Sequence, residues 1–310
     1  MAARIDDDRE KEMSQRAQIR RLDDGRRLHL HDGPIDLIVE AFGHPREVEA
    51  AYRAASARFV TLLDELCAEL SFLRAPCSAE TEWPRGSTAR RMTAAVMPYA
   101  AEYFITPMAA VAGAVAEEIL ASMVGTAELS RAYVNNGGDI ALHLNAGETF
   151  IVGMVERPDR PSLFATATLA SDHPVRGIAT SGWRGRSFSL GIADAVTVLA
   201  DRAAAADAAA TIIANAVDLP GHPAVTRVPA RELAPDSDLG ERMVTQAVGV
   251  LPDAEVHQAL AAGMQTAERL LRIGLIRSAA LTLQADIRVA GELPDANLTS
   301  SVRERGLVHA

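Results

Sequence analysis

Aromatic residues are scarce in this 310-residue chain: they make up 4% of it, while hydrophobic residues as a class make up 48%. The interior must therefore be filled by aliphatic and very small side chains. The abundance of alanine favours helices lying close on a sheet. Cysteine is nearly absent. Cys67 and Cys77 are the only two, so a disulfide framework is excluded and two reduced thiols are expected. Helical periodicity places Cys67 in the core, and Cys77 falls in a loop open to solvent. Basic charge is also short, with 31 Lys and Arg against 41 Asp and Glu, a net charge of −10. That argues against nucleic acid or a membrane surface as a partner, because both need clustered cations. A local basic pocket remains compatible with it. The opening MAARIDDDREKEMSQR has no apolar stretch, so neither a signal peptide nor an anchor is expected there. No other window reads as a membrane span of ~20 residues. The expectation is a cytoplasmic protein, with a homo-oligomer allowed. The eight histidines show no zinc-site spacing, and His29 and His31 read as surface residues.

What is present reads as alternating and helical segments. Residues 1–15 are charge-dense and read as a flexible start, with Met13 an equally good initiator. Leu28, Leu30, Ile35, Leu37 and Val39 alternate around Asp32-Gly33, a hairpin signature. From His44 the apolar residues Val48, Ala51, Ala55, Phe59, Leu62 and Leu66 recur at helical spacing. Residues 77–92 read as a loop and about 106–124 as a second helix. Strand–turn–strand patterns fill 132–200, and DRAAAADAAATIIANAV is a helix by propensity. Residues 221–240 read as a connection, LGERMVTQAV and 253–274 as helices, and IRSAALTLQADIRVA as a final strand. Residues 292–310 read as a mobile tail. The hairpins imply antiparallel pairing. The expected class is α+β, with mixed or antiparallel sheets packed against helices in one domain over 16–291.

Three constellations could carry chemistry. In Asn135-Asn136-Gly137-Gly138-Asp139 two glycines permit positive φ and close ligand approach, flanked by amide and carboxylate groups. A plain type I′ hairpin turn explains the same residues. In Ala179-Thr180-Ser181-Gly182, small hydroxyl residues before glycine suit a phosphate, with Arg176, Arg184 and Arg186 nearby to neutralise it; a simple loop is the alternative. Asp207 and Thr211 are four apart on a helix and share a face. A carboxylate and a hydroxyl so placed could give Mg²⁺ two oxygen ligands, substrate phosphates and water completing the shell. A solvated Asp and a methyl-packed Thr is the bland reading. Asp201 is the other carboxylate there, six positions away on a different face.

Taken in order, these segments resemble the ApbE family of flavin transferases. That family's Val-Asn-x-Gly-Gly-Asp turn is matched by Val134–Asp139, and its Thr-Ser-Gly by Thr180-Ser181-Gly182. Its Val-Thr-Val strand and Ala-Asp-Ala-x-Ala-Thr helix are matched by Val196-Thr197-Val198 and Ala206–Thr211. Ala112-Gly113-Ala114-Val115 resembles its Lys-Gly-Tyr-Ala-Val segment. The similarity covers about residues 105–217. It implies an ApbE-like, T-fold-like domain and a site for FAD or FMN with Mg. Asn135, Gly137, Gly138, Asp139, Thr180, Ser181 and Gly182 would line the nucleotide site, and Asp207 and Thr211 would ligate the metal. The implied chemistry is Mg²⁺-dependent FMN transfer or cleavage of the FAD pyrophosphate. The partners would be a flavin nucleotide and an unidentified flavoprotein acceptor. The family's His-Ile-x-Asp-Pro segment is missing: Trp183–Ala195 fills that interval with no histidine or proline. Ala112 also replaces the lysine. No catalytic base can therefore be assigned, and the pattern is that of a shorter cytoplasmic branch. A flavin-binding accessory or redox protein that cleaves no nucleotide is the alternative.

Overall fold

A computed structural model describes residues 16–155, 163–294, 297–298 and 308–309. The expected start 1–15 lies outside the described residues, as does most of the expected tail 292–310.

The alternating segments do form strands. These are β1 (Gln18–Arg21), β2 (Leu28–Asp32), β3 (Ile35–Gly43), β4 (Leu129–Asn136), β5 (Asp139–Leu144), β8 (Gly177–Ser181), β9 (Ala195–Ala200), β12 (Ser278–Leu283), β13 (Asp286–Gly291) and β15 (Val308–His309). They pair in the order β1-β2-β3-β4-β5-β8-β9-β12-β13-β15. Every pairing is antiparallel except β13 with β15. A second sheet joins β6 (Thr149–Val155), β7 (Leu163–Ala170) and β14 (Asn297–Leu298).

Strand parity sorts side chains to the two faces of the large sheet. Val134, Ala141, Ala179 and Val198 belong to the main core, whereas their neighbours Leu142, Ile178 and Leu199 belong to a smaller core with Val152 and Leu169. The main core lies under a layer of helices. These are α1 (Pro45–Ala68), α4 (Val111–Val124), α5 (Ala203–Ala216) and α7 (Asp253–Arg272). Successive helices touch one another and pack on successive strands. The β6–β7 ribbon covers the other face. The result is three layers of α+β architecture with continuous main-core packing from Ala17 to Ala290.

Alanine explains the closeness of the helix layer. In α5, Ala203, Ala204, Ala206, Ala208, Ala209 and Ala210 are all buried, and the helix lies on β8 and β9. Pro107–Val124 is the single described helical stretch long and apolar enough to cross a membrane. It packs in the protein core instead, with Ala114, Val115, Ala116, Ile119 and Met123 fully covered.

Several readings need correction. Residues 243–248 are not helical but form strand β11 (Met243–Val248), paired with β10 (Val225–Pro229). The connection 221–240 therefore contains that strand and a short helix, α6 (Ala230–Leu233). The loop 77–92 gives way to helix α3 (Ser87–Val96), which buries Ala89, Met92 and Val96. The final strand is a hairpin, β12 and β13 turning at Gln284 and Ala285. The cysteines are also exchanged: Cys67 is exposed and Cys77 is buried. His29 and His31 meet a carboxylate after all, Asp36 on the adjacent strand, at 2.9 and 3.6 Å.

Candidate functional site

A cavity of about 1080 Å³ opens at the end of the sheet where β4 turns into β5 and β8 stops. Asn135, Gly137, Gly138, Asp139, Thr180, Ser181, Gly182, Asp207 and Thr211 all line it. Residues drawn from the β4–β5 turn, the end of β8 and helix α5 thus share one space, although the sequence separates them by dozens of positions.

The turn is a two-residue hairpin loop: Asn136 pairs with Asp139, and Gly137 and Gly138 have φ of 64° and 115°. The hairpin reading is therefore met, and the turn also forms part of the cavity wall. The Asn135 side-chain Oδ1 accepts from Gly138 N at 2.8 Å, which fixes the turn from within. Asn136 points to the helix face and donates to Ala112 O at 3.2 Å. Thr180 and Thr197 share a hydroxyl hydrogen bond of 2.9 Å.

Asp207 reaches the first turn of α4, where Gly113 N donates to its Oδ2 at 3.0 Å. This contact depends on how closely the two helices approach. A Cβ on Gly113 would lie 2.3 Å from Ala203 O, so no other residue allows α4 to sit so near α5. The helix N-terminus favours an anion at this position. Asp139 in turn accepts from Thr180 N at 3.0 Å.

Both carboxylates are half-buried: they touch the cavity yet lie deep within the protein. No arginine, lysine or histidine among the described residues forms an ion pair with either. Desolvation lifts the Asp139 carboxyl to about 7, against the pull of the Thr180 N–H and of Arg186. Desolvation and the charge of Asp139 push Asp207 well above the usual carboxylate range, opposed by the N–H groups of Gly113 and Ala112. The Asp139 charge thus favours a proton on Asp207, and a cation beside the two carboxyls would favour their charged forms instead.

The described residues contain no group of three or more His, Cys, Asp and Glu able to hold a metal. The fit is nevertheless good for Mg²⁺, which retains water and phosphate ligands and needs few protein oxygens. Asp207, Asp139 and the Thr211 hydroxyl, one helical turn from Asp207, would supply them. Asp139 was assigned from sequence to the nucleotide wall alone; its coupling to Asp207 required the fold to bring β5 against α5.

Arg184 and Arg186 also line the cavity, with Ala112, Thr197 and Phe188. Their loop is tied down by Asp194. One Asp194 oxygen accepts from Trp183 Nε1 at 3.1 Å and Arg184 Nε at 2.5 Å, and the other accepts from Gln284 N at 2.7 Å. Arg74, Asp236 and Asp238 complete the charged lining, and no local sequence signal pointed to them.

The bacterial AbpE family model matches residues 19–290, nearly the whole described body. The chain belongs to this family. Among curated relatives, the UPF0280 protein of Methanopyrus kandleri is 42% identical over 125 residues, 39% of this chain and 48% of that protein. The UPF0280 protein of Methanosarcina acetivorans is 31% identical over 186 residues, 59% of this chain and 70% of that protein. The chain spans about half the length of the curated relatives it matches first, 48% and 49%. The flavin transferase ApbE from Vibrio cholerae aligns over 93% of this chain and 99% of its own, at 12% identity and a TM-score of 0.36.

Proposed function

We propose that this member of the AbpE family is a cytoplasmic enzyme that binds FAD with Mg²⁺ and cleaves its pyrophosphate or transfers its FMN. The observation that carries the reading is the convergence of the Asn135–Asp139 turn, Thr180–Gly182, and Asp207 with Thr211 on one cavity. Those are the segments whose order resembles the flavin transferases. The cavity volume of about 1080 Å³ is ample for a dinucleotide.

Asp139, Asp207 and Thr211 would hold the metal. When bound it would supply Lewis-acid chemistry that offsets charge growing on the leaving group. The chain's own groups do the rest. Gly138 leaves open space beside the turn, so a ligand can lie against its backbone, and Arg186 covers Gly137. Thr180 and Ser181 offer hydroxyls, and the Asp194 tether keeps the Trp183–Ala195 loop in place. With FAD and water as reactants, one P–O bond of the pyrophosphate breaks. Water supplies the new oxygen, and FMN and AMP leave. With a protein hydroxyl as acceptor, FMN would pass to that oxygen, AMP would leave and the hydroxyl proton would be released.

The Trp183–Ala195 loop contains no histidine, so hydrolysis is favoured over transfer. Incubation of the purified protein with FAD and Mg²⁺, with chromatography for FMN and AMP, tests the reading. Release of both products that stops with EDTA is expected. Tight flavin binding with no release would point to an accessory or redox protein instead. Co-expression with a flavin-accepting domain should give little or no in-gel flavin fluorescence; strong labelling would show that another group replaces the histidine.

A further inference from the structure

The three arginines near the Thr180–Gly182 segment have different fates. Arg176 donates to the carbonyls of Ser171, His173 and Val175 and is a structural clamp. Arg184 is paired with Asp194, and its guanidinium stacks 4.2 Å from the Trp183 ring centroid. Among the described residues Arg186 has neither kind of partner. Its guanidinium lies over the Gly137 turn: a Cβ built there would fall 1.8 Å from Nη2. It is also near enough to Asp139 to favour that carboxylate's charged form. Arg74 lines the same cavity from the end of the short helix α2 (Leu70–Leu73), and likewise has no acceptor among the described residues. Among the described residues, then, neither of these two guanidiniums has an ion-pair partner, and neither does Asp139 or Asp207.

That layout matches a ligand with its own two-part charge. The carboxylates would hold a metal, and the arginines would take phosphate oxygens. Guanidinium groups bind phosphate through paired N–H donors and stay charged at any working pH. Asp236 and Asp238 line the same cavity, and Asp238 accepts from the Thr106 hydroxyl. Their like charge would repel phosphate and confine it to the arginine side.

We propose that Arg186 and Arg74 are specificity-determining residues that make this site select a diphosphate ester, with the isoalloxazine ring contributing less than the phosphates. The inference rests on the reading of the cavity as a metal–nucleotide site, but not on the nucleotide being a flavin. The chemical class recognised is a nucleoside diphosphate or its ester, of which FAD is one.

Calorimetric titration of FAD, ADP, FMN and riboflavin at fixed Mg²⁺ tests this on the intact wild type, Arg186→Gln, Arg74→Gln and the double variant. Both arginines are at least partly exposed, so the fold should survive, and melting curves check that. FAD and ADP should bind about tenfold more weakly to each single variant, and with a shallower salt dependence. Riboflavin binding should not change. Arg186→Lys should recover part of the loss, since charge returns without the fork. Wild-type binding of ADP without riboflavin, lost in the variants, would uphold the inference while removing the flavin reading. Riboflavin bound as tightly as FAD, with the double variant unaltered, would overturn the inference and leave the flavin reading standing. Failure of the wild type to bind either diphosphate would also overturn it.

Discussion

Helix α4 is flanked by two sets of acidic residues treated in opposite ways. On one side Glu118 accepts from Arg58 at 3.0 Å, Arg91 at 2.8 Å and Ser87 at 2.5 Å. Glu117 beside it meets Arg91 and Arg202 at 3.3 and 2.6 Å. Burial alone would raise the Glu118 carboxyl; the hydroxyl and the two guanidiniums outweigh it and hold the group below its ordinary value. At the helix N-terminus, Asp207 and Asp139 have backbone N–H donors and no ion-pair partner, and both are pushed up. The same chain thus pairs one acidic cluster with its own arginines, whereas among the described residues no cation forms an ion pair with the other. The first arrangement holds α1, α3, α4 and α5 together. The second leaves two desolvated carboxyls that hold their protons more readily than usual.

The largest effect expected from breaking this contrast is at the satisfied cluster. Glu118→Ala would strand Arg58, Arg91 and the Ser87 hydroxyl in a mostly covered space. A loss of about 4 kcal/mol is expected from removing one partner of a buried ion-pair network. Urea unfolding should show it. Mg²⁺-dependent nucleotide binding, measured on the fraction that remains folded, should be unaltered.

Asp207→Asn should do the reverse. The amide oxygen can still accept from Gly113 N, and the repulsion from Asp139 disappears. Apo stability at pH 7.5 should stay level or rise, while Mg²⁺-dependent FAD binding falls by about a hundredfold or more, the order expected for a lost charged ligand. Destabilisation together with unimpaired binding would mean that Asp207 serves only as a cap for α4.

The pH profile sharpens the same comparison. A carboxyl whose folded value is raised binds a proton in the native state at a pH where the unfolded chain has released it. Stability must then fall as pH rises between the two values. For Asp139 the window runs from the ordinary value of 3.8 to about 7. Thermal melts of the metal-free protein should show a decline across that range, with Asp139→Asn flattening it. Added Mg²⁺ should stabilise more at pH 7.5 than at pH 5, where the carboxyls hold protons. Glu118 contributes with the opposite sign, since its lowered value favours the fold above the acid range.

The fold class was legible in the sequence, and so, as motifs, were the two segments that line the cavity. Asn135–Asp139 and Asp207–Thr211 are short, glycine- or alanine-framed motifs whose residue types suit the chemistry, and their local form decides much of their geometry. What failed was non-local. Met243–Val248 carries Val244, Thr245 and Val248, which satisfy a loose helical count, but pairing with Val225–Pro229 makes it a strand. The Gln284-Ala285 turn was invisible because neither residue favours positive φ, and both adopt it, at 45° and 69°. Tertiary bonds hold it there: Gln284 N donates to Asp194, its Oε1 accepts from Leu251 N at 3.0 Å, and its Nε2 donates to Gly249 O at 2.6 Å. Helix α3 was hidden by the polar look of Ser87, Thr88 and Thr93, though Ala89, Met92 and Val96 have helical spacing. Arg74 could not be found at all without the fold, because nothing local distinguishes it.

The smallest effect belongs to Thr211. It shares a face of α5 with Asp207, one turn away, and lines the same cavity. Its hydroxyl is neutral, so its removal leaves the negative potential of Asp139 and Asp207 intact. Thr211→Val keeps the branched shape and the packing of the methyl group, and changes only the oxygen. Mg²⁺ would recruit a water in its place, which octahedral magnesium readily retains. A few-fold loss in Mg²⁺ affinity, about 1 kcal/mol, is therefore expected, with no change in melting temperature of the metal-free protein. Thr211→Ser should restore binding, since the hydroxyl returns and only a methyl is lost. Paired titrations of Mg²⁺ into wild type, valine and serine variants in the presence of FAD separate the roles. Equal loss in the valine and serine variants would assign the effect to the methyl group and to packing, and Asp207 and Asp139 would then be the protein's whole contribution to the metal.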